Sequence, residues 1–307
     1  MRMSLCIESN LSIEATSERH IMIAAGPEAE NKRRPTKINV RILRQDGPGM
    51  PPYWERHQVA YEADMNVISV LQKVAAQAKT FDGNNVAPVA WDCGCLEEVC
   101  GSCTMVINGR VRQSCSALVD RLLEDNAEEI ELRPMTKFPV VRDLMVDRSR
   151  LFHSLKRVEA WVPVDGYYDM GAGPRIARED QEQNYPLSQC MSCGCCLEAC
   201  PQFNKVELQR QPGETDADYE TRKKAAYDAE FLGPHAISQA MLFNAHPVGK
   251  NLQKDRMEAL TGPGGIQACG NAQNCVSVCP KEIPLTTSIA RAGRAATVYA
   301  FKKLFDR

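Results

Sequence analysis

The chain has 307 residues with a formal net charge of −2, and 44% of its residues are hydrophobic. This length suits two domains of ordinary size, and the balanced charge gives no reason to expect nucleic acid as a partner. No apolar stretch reaches the roughly 18 residues that cross a bilayer, and the N-terminus lacks the apolar core of a secretory signal peptide.

The first part of the chain is expected to be a short extension followed by a small α+β module. Residues 1–35 have no convincing hydrophobic period and are interpreted as a flexible N-terminal extension. Strands are predicted at 38–42, 56–61, 105–107, near 111 and at 129–132. Asn108-Gly109 predicts a two-residue hairpin turn, and a helix is expected over 67–78 with Asp64 or Asn66 as its N-cap. These elements define a first domain over residues 36–138.

The second domain, residues 139–307, is expected to be all-α, because the strand signals largely vanish after Pro139. Helices are predicted at about 140–157, 187–199, 216–230, 235–244 and 285–304. The segment Gly171-Ala172-Gly173-Pro174 is interpreted as a loop, since no strand and helix flank it as a nucleotide site requires. Basic residues of the last helix are interpreted as a solvated face, with a membrane-surface role as the alternative: Arg291, Arg294, Lys302, Lys303 and Arg307.

The first domain carries a cysteine set typical of a plant-type 2Fe–2S cluster, namely Cys95, Cys100, Cys103 and Cys115. Their spacing is C-x4-C-x2-C followed by one distant cysteine. Gly94 and Gly101 let the backbone approach the cluster, where amide N–H groups stabilise its negative charge. Cys93 is a rival for the first ligand position, but the spacing favours Cys95.

The second domain carries two related cysteine runs. The first is C-x2-C-x2-C-x3-C-P, at Cys190, Cys193, Cys196, Cys200 and Pro201. The second keeps Cys269, Cys275, Cys279 and Pro280, but has Ala272 where its second cysteine would stand. In bacterial two-cluster ferredoxins the last cysteine of a run binds the cluster of the other run.

This exchange assigns the seven cysteines of the two runs to two clusters. A 4Fe–4S cluster takes Cys190, Cys193, Cys196 and Cys279. Three cysteines remain for the other cluster, Cys200, Cys269 and Cys275. Because a methyl group at Ala272 cannot bind iron, this cluster is predicted to be 3Fe–4S.

The cysteine spacing and count disfavour two other roles, structural zinc and disulfide bonding. Structural zinc sites usually have two separated C-x2-C pairs, which the triple spacing does not match. Disulfides are disfavoured because the chain is not expected to be exported, and its 14 cysteines are therefore better candidates for metal ligands. Cys6, Cys93 and Cys195 are expected not to be ligands, and Cys195 is interpreted as a small buried side chain. The lone histidines are interpreted as surface or core residues: His20, His57, His153, His235 and His246.

These sets, in this order, resemble the iron–sulfur subunits of succinate dehydrogenase and quinol:fumarate reductase. The resemblance rests on W-D-C-G-C-L-E-E-V-C-G-S-C (91–103), N-G-R-V-R-Q-S-C (108–115) and C-V-S-V-C-P-K (275–281). It implies a β-grasp ferredoxin domain followed by a helical two-cluster domain, peripheral on the cytoplasmic face of the cell membrane. The implied partners are a flavoprotein subunit with covalent FAD, a membrane-anchor cytochrome b and quinone. Electrons would pass from FAD through the three clusters, and no substrate chemistry is expected on this chain.

Two departures from the family pattern bear on the quinone. Many ubiquinone-reducing members have a tryptophan shortly after the first C-P and a histidine after the first cysteine of the second run. Asn204 and Gly270 hold those places here. The chain therefore looks more like the group with a dihaem cytochrome b and menaquinone. The alternatives are the same role in fumarate reduction, or a subunit of another flavin-linked dehydrogenase, although those commonly keep two complete cysteine runs.

Overall fold

The structure, a computed structural model, describes residues 35–125, 129–163 and 175–305. Its strands are β1 (Lys37–Arg44), β2 (Tyr53–Ala60), β3 (Thr104–Ile107), β4 (Arg110–Gln113), β5 (Glu129–Arg133), β6 (Val140–Arg142) and β7 (Met145–Val146). Its α-helices are α1 (Val67–Gln77), α2 (Val119–Asp125), α3 (Ser149–Arg157), α4 (Arg178–Ser188), α5 (Cys195–Glu198), α6 (Asp216–Ala229), α7 (Pro234–Ala245), α8 (Gln253–Thr261), α9 (Asn274–Ser277) and α10 (Leu285–Phe305). Short 3-10 helices lie at Gly249–Leu252 and Ile266–Ala268.

Five strands form a mixed sheet in the order β2-β1-β5-β3-β4. β1 pairs antiparallel with β2 and parallel with β5, and its alternate residues Ile38, Val40 and Ile42 are buried. α1 begins after Asn66, whose side-chain oxygen accepts from the Ser69 amide at 3.0 Å, so Asn66 is confirmed as the N-cap. The helix ends at Ala78, which has a left-handed conformation.

The predicted hairpin turn is confirmed. Asn108 and Gly109 have φ values of +48° and +74°, as a tight turn between twisted strands requires. The turn is also tied to β5, because the Asn108 amide donates to the Glu131 carbonyl at 2.9 Å and the Asn108 side chain accepts from the Glu131 amide at 2.8 Å. This hairpin carries the chain back toward the loop that holds the first three cysteines of the first set.

The helix predicted at 140–157 is wrong in its first half. Residues 140–146 form the β6–β7 hairpin, and only α3 is helical in this stretch. Asp143 has a φ of +47° and is fully buried, where its carboxylate accepts from the Arg44 guanidinium at 3.0 and 3.1 Å. This long-range ion pair holds a turn at a position where the spacing of apolar residues suggested a helix.

The helix predicted at 187–199 is also wrong. Its place is taken by the end of α4 and by the four-residue α5. Ser192 and Gly194 between them have φ values of +53° and +87°, which a right-handed helix does not permit. The predictions at 216–230, 235–244 and 285–304 are confirmed by α6, α7 and α10, whereas α2, α4, α8 and α9 were not predicted.

Two hydrophobic cores lie on either side of the segment 135–146. The first core lies between the sheet and α1, and it includes Leu144. The second lies among the helices, and Met135 and Phe138 pack in it. Within the described ranges no helix is long and apolar enough to cross a membrane. Cys6, His20, the segment 171–174 and Arg307 lie outside the described residues.

Candidate metal centres

Backbone amides surround the first two sulfur atoms of the first cysteine set. The amides of Val99 and Cys100 lie 3.3 Å from Cys95 Sγ, and the Glu97 amide lies 3.4 Å from it. Left-handed conformations at Leu96 and Glu98 accompany this inward turn of the loop. Such a nest of N–H groups stabilises negative charge on sulfur.

Cys100 receives the same kind of support. The amides of Cys95 and Ser102 donate to its sulfur at 3.4 and 3.5 Å. The hydrogen bond from the Cys95 amide is the main cause that lowers the pKa of Cys100 to about 6. Cys93 is more exposed than Cys95, which is only half-exposed and has the three amides around its sulfur. The geometry therefore favours Cys95 over Cys93 as the ligand, although the assignment stays a prediction.

The two remaining cysteines of the first set lie together beneath the loop. Cys103 and Cys115 are buried and pack with Ile68 and Trp91. The Ser114 amide donates to the Cys103 carbonyl at 3.1 Å, which brings the start of the loop after β4 against the end of the cysteine loop. Burial raises the pKa of Cys103 to about 11. A cationic iron centre would favour the thiolate that burial alone disfavours.

The second cysteine set lines one cavity in the helical part of the chain. Cys190, Cys193, Cys196 and Cys279 border it, together with His235 and Lys281. The Asn274 side chain donates to the Ala199 carbonyl at 3.1 Å, which holds the second run of cysteines against the first. A hydrogen bond from the Cys195 side chain is the main cause that lowers the pKa of Cys193 to about 7. Cys195 itself is fully buried, as expected.

The third cysteine set lines a separate cavity. Cys200, Cys269 and Cys275 border it together with Ala272, which therefore faces the same space. Burial, and the neighbouring Cys200 and Cys269 sulfurs, raise the pKa of Cys275. The structure thus places the second and third predicted groups around one cavity each, and the assignment of each cysteine as a ligand stays a prediction.

The donor sets fit iron–sulfur clusters. Thiolates are the ligands that these clusters use, and the amide N–H groups at Cys95 and Cys100 suit negatively charged sulfur. In the part of the chain that the structure describes, no three His, Cys, Asp or Glu side chains converge where a single metal ion would sit. The thiols of the second and third sets instead border cavities, as cubane-type clusters require, since each iron there takes its own thiolate.

The described histidines have structural partners. His57 is buried between the Lys79 carbonyl and the Glu55 carboxylate, both at 2.9 Å. His153 contacts Asp228 at 2.8 Å. His235 donates from Nε2 to the Leu151 carbonyl at 3.2 Å, and burial lowers its pKa to about 4. These contacts agree with the interpretation of the histidines as surface or core residues.

The segments that carry the first and second cysteine sets contact each other through residues whose pairing the sequence does not predict. Gly101 lies against Cys193, and the Gln113 side chain donates to Cys195 Sγ at 3.2 Å. Arg148 donates to the carbonyls of Gly101 and Ser102. Arg148 stands outside every cysteine motif, so no local sequence signal points to it.

Comparison with known proteins gives a consistent result along the chain. Residues 39–153 match a family model described as "2Fe-2S iron-sulfur cluster binding domain", and residues 186–283 match one described as "4Fe-4S dicluster domain". The succinate dehydrogenase iron–sulfur subunit of Bacillus subtilis (strain 168) is 47% identical over 268 residues, which cover 87% of this chain and 96% of that protein. This chain belongs to the family of iron–sulfur subunits of succinate dehydrogenase and fumarate reductase.

More distant relatives agree with this family. The fumarate reductase iron–sulfur subunit of Wolinella succinogenes is 26% identical over 257 residues, with 82% of this chain and 94% of that protein covered. A chain of the Mycobacterium smegmatis Sdh1 complex in the apo form shares the fold with a TM-score of 0.65, at 20% identity, over 87% of this chain and 98% of that chain. The predicted family and the predicted fold class are therefore confirmed.

Proposed function

We propose that this chain is the electron-transfer subunit of a membrane-bound succinate:quinone oxidoreductase. It passes electrons from FAD in a flavoprotein subunit through 2Fe–2S, 4Fe–4S and 3Fe–4S clusters to a membrane cytochrome b and quinone. The observation that carries the proposal is the succession of three separate cysteine sets in one chain, whose relative at 47% identity is a succinate dehydrogenase iron–sulfur subunit.

The chain itself supplies ligands and surroundings rather than acid–base chemistry. Each cluster, when bound, takes up and releases one electron at a time. Cys95, Cys100, Cys103 and Cys115 hold the first cluster, and the loop amides stabilise its charge. The second cluster is held by Cys190, Cys193, Cys196 and Cys279, and the third by Cys200, Cys269 and Cys275.

The 3Fe–4S assignment is supported by the residue that faces the third cavity. Ala272 borders this cavity where a fourth thiolate would be needed for a complete cubane. Apart from the three cysteines, the other residues that line it carry no thiol, imidazole or carboxylate: Gln202, Asn271, Gln273 and Asn274 are neutral amides, and the rest are proline, glycine, threonine and isoleucine. A cluster that lacks the fourth iron satisfies all three available cysteines and leaves no iron without a protein ligand.

A dihaem cytochrome b and menaquinone are the proposed partners at the membrane. Gly270 stands where a histidine is common, and a β-carbon there would lie 2.7 Å from Nε2 of Gln202. A larger residue at 270 would require the Gln202 side chain to move, so with Gln202 in this place position 270 suits glycine. We infer that electrons pass to haem rather than directly to quinone beside Cys269. A purified complex with one haem or none, and with quinone bound beside Cys269, would contradict this step.

The experiment that tests the proposed function is purification of the intact complex under anaerobic conditions. Chemical analysis should find iron and acid-labile sulfide, and magnetic spectra should resolve centres of two, four and three irons. Succinate should reduce every centre whose reduction potential is high enough to accept electrons from it. A colourless protein that contains zinc would instead support a zinc-stabilised interaction module.

Measurements on the assembled complex also distinguish succinate oxidation from two related functions, fumarate reduction and service to another flavin-linked dehydrogenase. Fumarate reductase relatives such as that of Wolinella succinogenes are only 26% identical, which favours succinate oxidation as the main activity. The ratio of succinate oxidation to quinol-driven fumarate reduction decides the direction. Co-purification with a flavoprotein that oxidises another substrate would point to a different flavin-linked dehydrogenase.

Membrane fractionation, with protease applied from each side of the membrane, tests the proposed position on the cytoplasmic face.

A further inference from the structure

The guanidinium of Arg148 spans the loop between two ligands of the first cysteine set. Its Nη1 donates to the Gly101 carbonyl at 2.6 Å, and its Nη2 donates to the Ser102 carbonyl at 2.5 Å. Gly101 and Ser102 are the two residues between Cys100 and Cys103. The rigid fork of an arginine therefore fixes both carbonyls of this ligand segment at once.

The same positive charge also lies beside the second cysteine set. Burial lowers the pKa of Arg148, and the electrostatic influence of Asp92, Cys193 and Cys103 opposes this shift by favouring the charged guanidinium. Gly101, which Arg148 holds, is the residue packed against Cys193. One cation thus lies between a ligand of the first proposed cluster and a ligand of the second.

Arg148 is anchored on the helical side of this contact. It directly precedes α3, and the Leu151 amide donates to its carbonyl at 3.0 Å. Its neighbour Asp147 accepts from the Ser149 amide at 2.8 Å and pairs with Lys223 of α6 at 3.1 Å. The backbone of Arg148 is therefore held by helices, while its side chain reaches the cysteine loop of the sheet domain.

We propose that Arg148 is a positioning residue that holds the 2Fe–2S loop against Cys193 and raises the reduction potentials of both the first and the second cluster. Each cluster gains negative charge on reduction, and a nearby cation in a partly buried site stabilises the more negative state. Because both clusters receive this stabilisation, the charge raises their potentials together. The inference rests on the proposed function and on the proposed ligand sets.

The test is an EPR-monitored redox titration of the intact complex carrying Arg148→Gln. The first and second centres should each become harder to reduce by about tenfold in their equilibrium constants, which is 59 mV for one electron. The third centre should keep its wild-type midpoint, because its ligands do not lie beside Arg148. Arg148→Lys should restore both midpoints toward wild type, since it keeps the charge but loses the fork.

Arg157→Gln is the matched control. Arg157 is also partly buried and also donates to two carbonyls, those of Glu230 and Pro263, and the charge that acts on it is that of Asp228. This variant removes the same charge and similar contacts without a cysteine partner, so all three midpoints should stay at wild-type values. A fall of the first two midpoints in this control would show a general effect of lost charge and would overturn the proposal.

The remaining outcomes are also decisive. Wild-type midpoints at both centres in a fully loaded Arg148→Gln complex overturn the proposal. Should that variant fail to retain its 2Fe–2S centre, the second centre decides: a midpoint about 59 mV below the wild-type value supports the proposal, and a wild-type midpoint overturns it. Failure of the proposed function would appear differently, as a wild-type complex without the three iron–sulfur centres.

Discussion

Gly101 and Cys193 lie in direct contact across the boundary between the sheet and the helices. A β-carbon built on Gly101 would lie 2.6 Å from both the Cα and the Cβ atom of Cys193. Atoms of real side chains do not approach so closely, so any other residue at 101 must displace the loop or the helical run. The contact therefore sets the separation of the first two proposed clusters through backbone rather than through mobile side chains.

Gly101→Ala should destabilise the 2Fe–2S centre. Gly101 has a φ of +70°, and Gly109 has a φ of +74° with nothing within 4 Å of its added β-carbon. Both alanine variants carry the cost of a left-handed conformation, but only Gly101→Ala adds overpacking, which costs about 1–3 kcal/mol. Spin quantitation of the first centre and thermal unfolding measure the difference. Equal behaviour of the two variants would contradict the importance of this contact.

Cys95→Ser should disturb the 2Fe–2S centre more than Cys93→Ser. Three amides lie within 3.4 Å of Cys95 Sγ, whereas Cys93 is exposed. Serine at 95 replaces a thiolate ligand by an oxygen, which should shift the g-values and lower the midpoint of this centre. EPR spectra of the two complexes compare them directly. The reverse order would reassign the ligand to Cys93.

Ala272→Cys should convert the third cluster toward 4Fe–4S and lower its reduction potential. Ala272 borders the cavity of the third set, so a thiolate there has access to a fourth iron. Spectroscopy that counts irons, such as Mössbauer, measures the conversion. Ala268→Cys, four residues earlier and just before Cys269, is a control that adds a cysteine outside the run's spacing. An unchanged three-iron centre in Ala272→Cys would contradict the placement of the missing ligand.

Acidification should destabilise the protein partly through His235. Burial lowers its folded-state pKa to about 4, below the ordinary value of 6.5. The unfolded chain therefore binds a proton first as the pH falls, and stability is lost from about pH 6.5 down to about pH 4. The full contribution is about 3 kcal/mol. His235→Gln, which cannot titrate and can still donate to the Leu151 carbonyl, should flatten this part of the stability profile.

The measurement is the thermal midpoint of the complex at pH 7.5, 6.5 and 5.5, followed by visible absorbance. His246→Gln is the control, because His246 is half-buried and accepts from the amides of Val248 and Gly249 through Nδ1. The slope between pH 6.5 and 5.5 should decrease in His235→Gln more than in this control. Identical slopes in the wild type and in His235→Gln would assign the acid sensitivity to other groups.

Much of the fold and the grouping of the cysteines could be predicted from the sequence. The strand pattern of β1, the helical spacing of α1 and the Asn108-Gly109 turn were predictable because local propensity and tertiary packing agree there. The cysteine groups followed from spacing, since a cluster needs thiolates at fixed intervals along a tight loop.

The remaining features depend on contacts between residues that are far apart in sequence. Asp143 adopts a turn because Arg44, 99 residues earlier, pairs with it. The left-handed Ser192 and Gly194 interrupt a stretch whose composition suits a helix. Arg148 approaches the cysteine loop from the start of α3, 46 and 47 residues away from its two carbonyl partners. No local pattern encodes such pairings.

The β6–β7 hairpin has a practical consequence for dissecting the molecule. Asp143 is bound to Arg44 and to the Ala90 amide at 2.9 Å, and Leu144 packs beneath the sheet, whereas Met135 and Phe138 pack among the helices. Separate expression of 36–138 and 139–307 would leave each fragment without part of its own interior, and would leave Arg44 with Glu55 but without Asp143, one of its two buried carboxylate partners. We expect such fragments to be insoluble apart and to recover only when they are produced together.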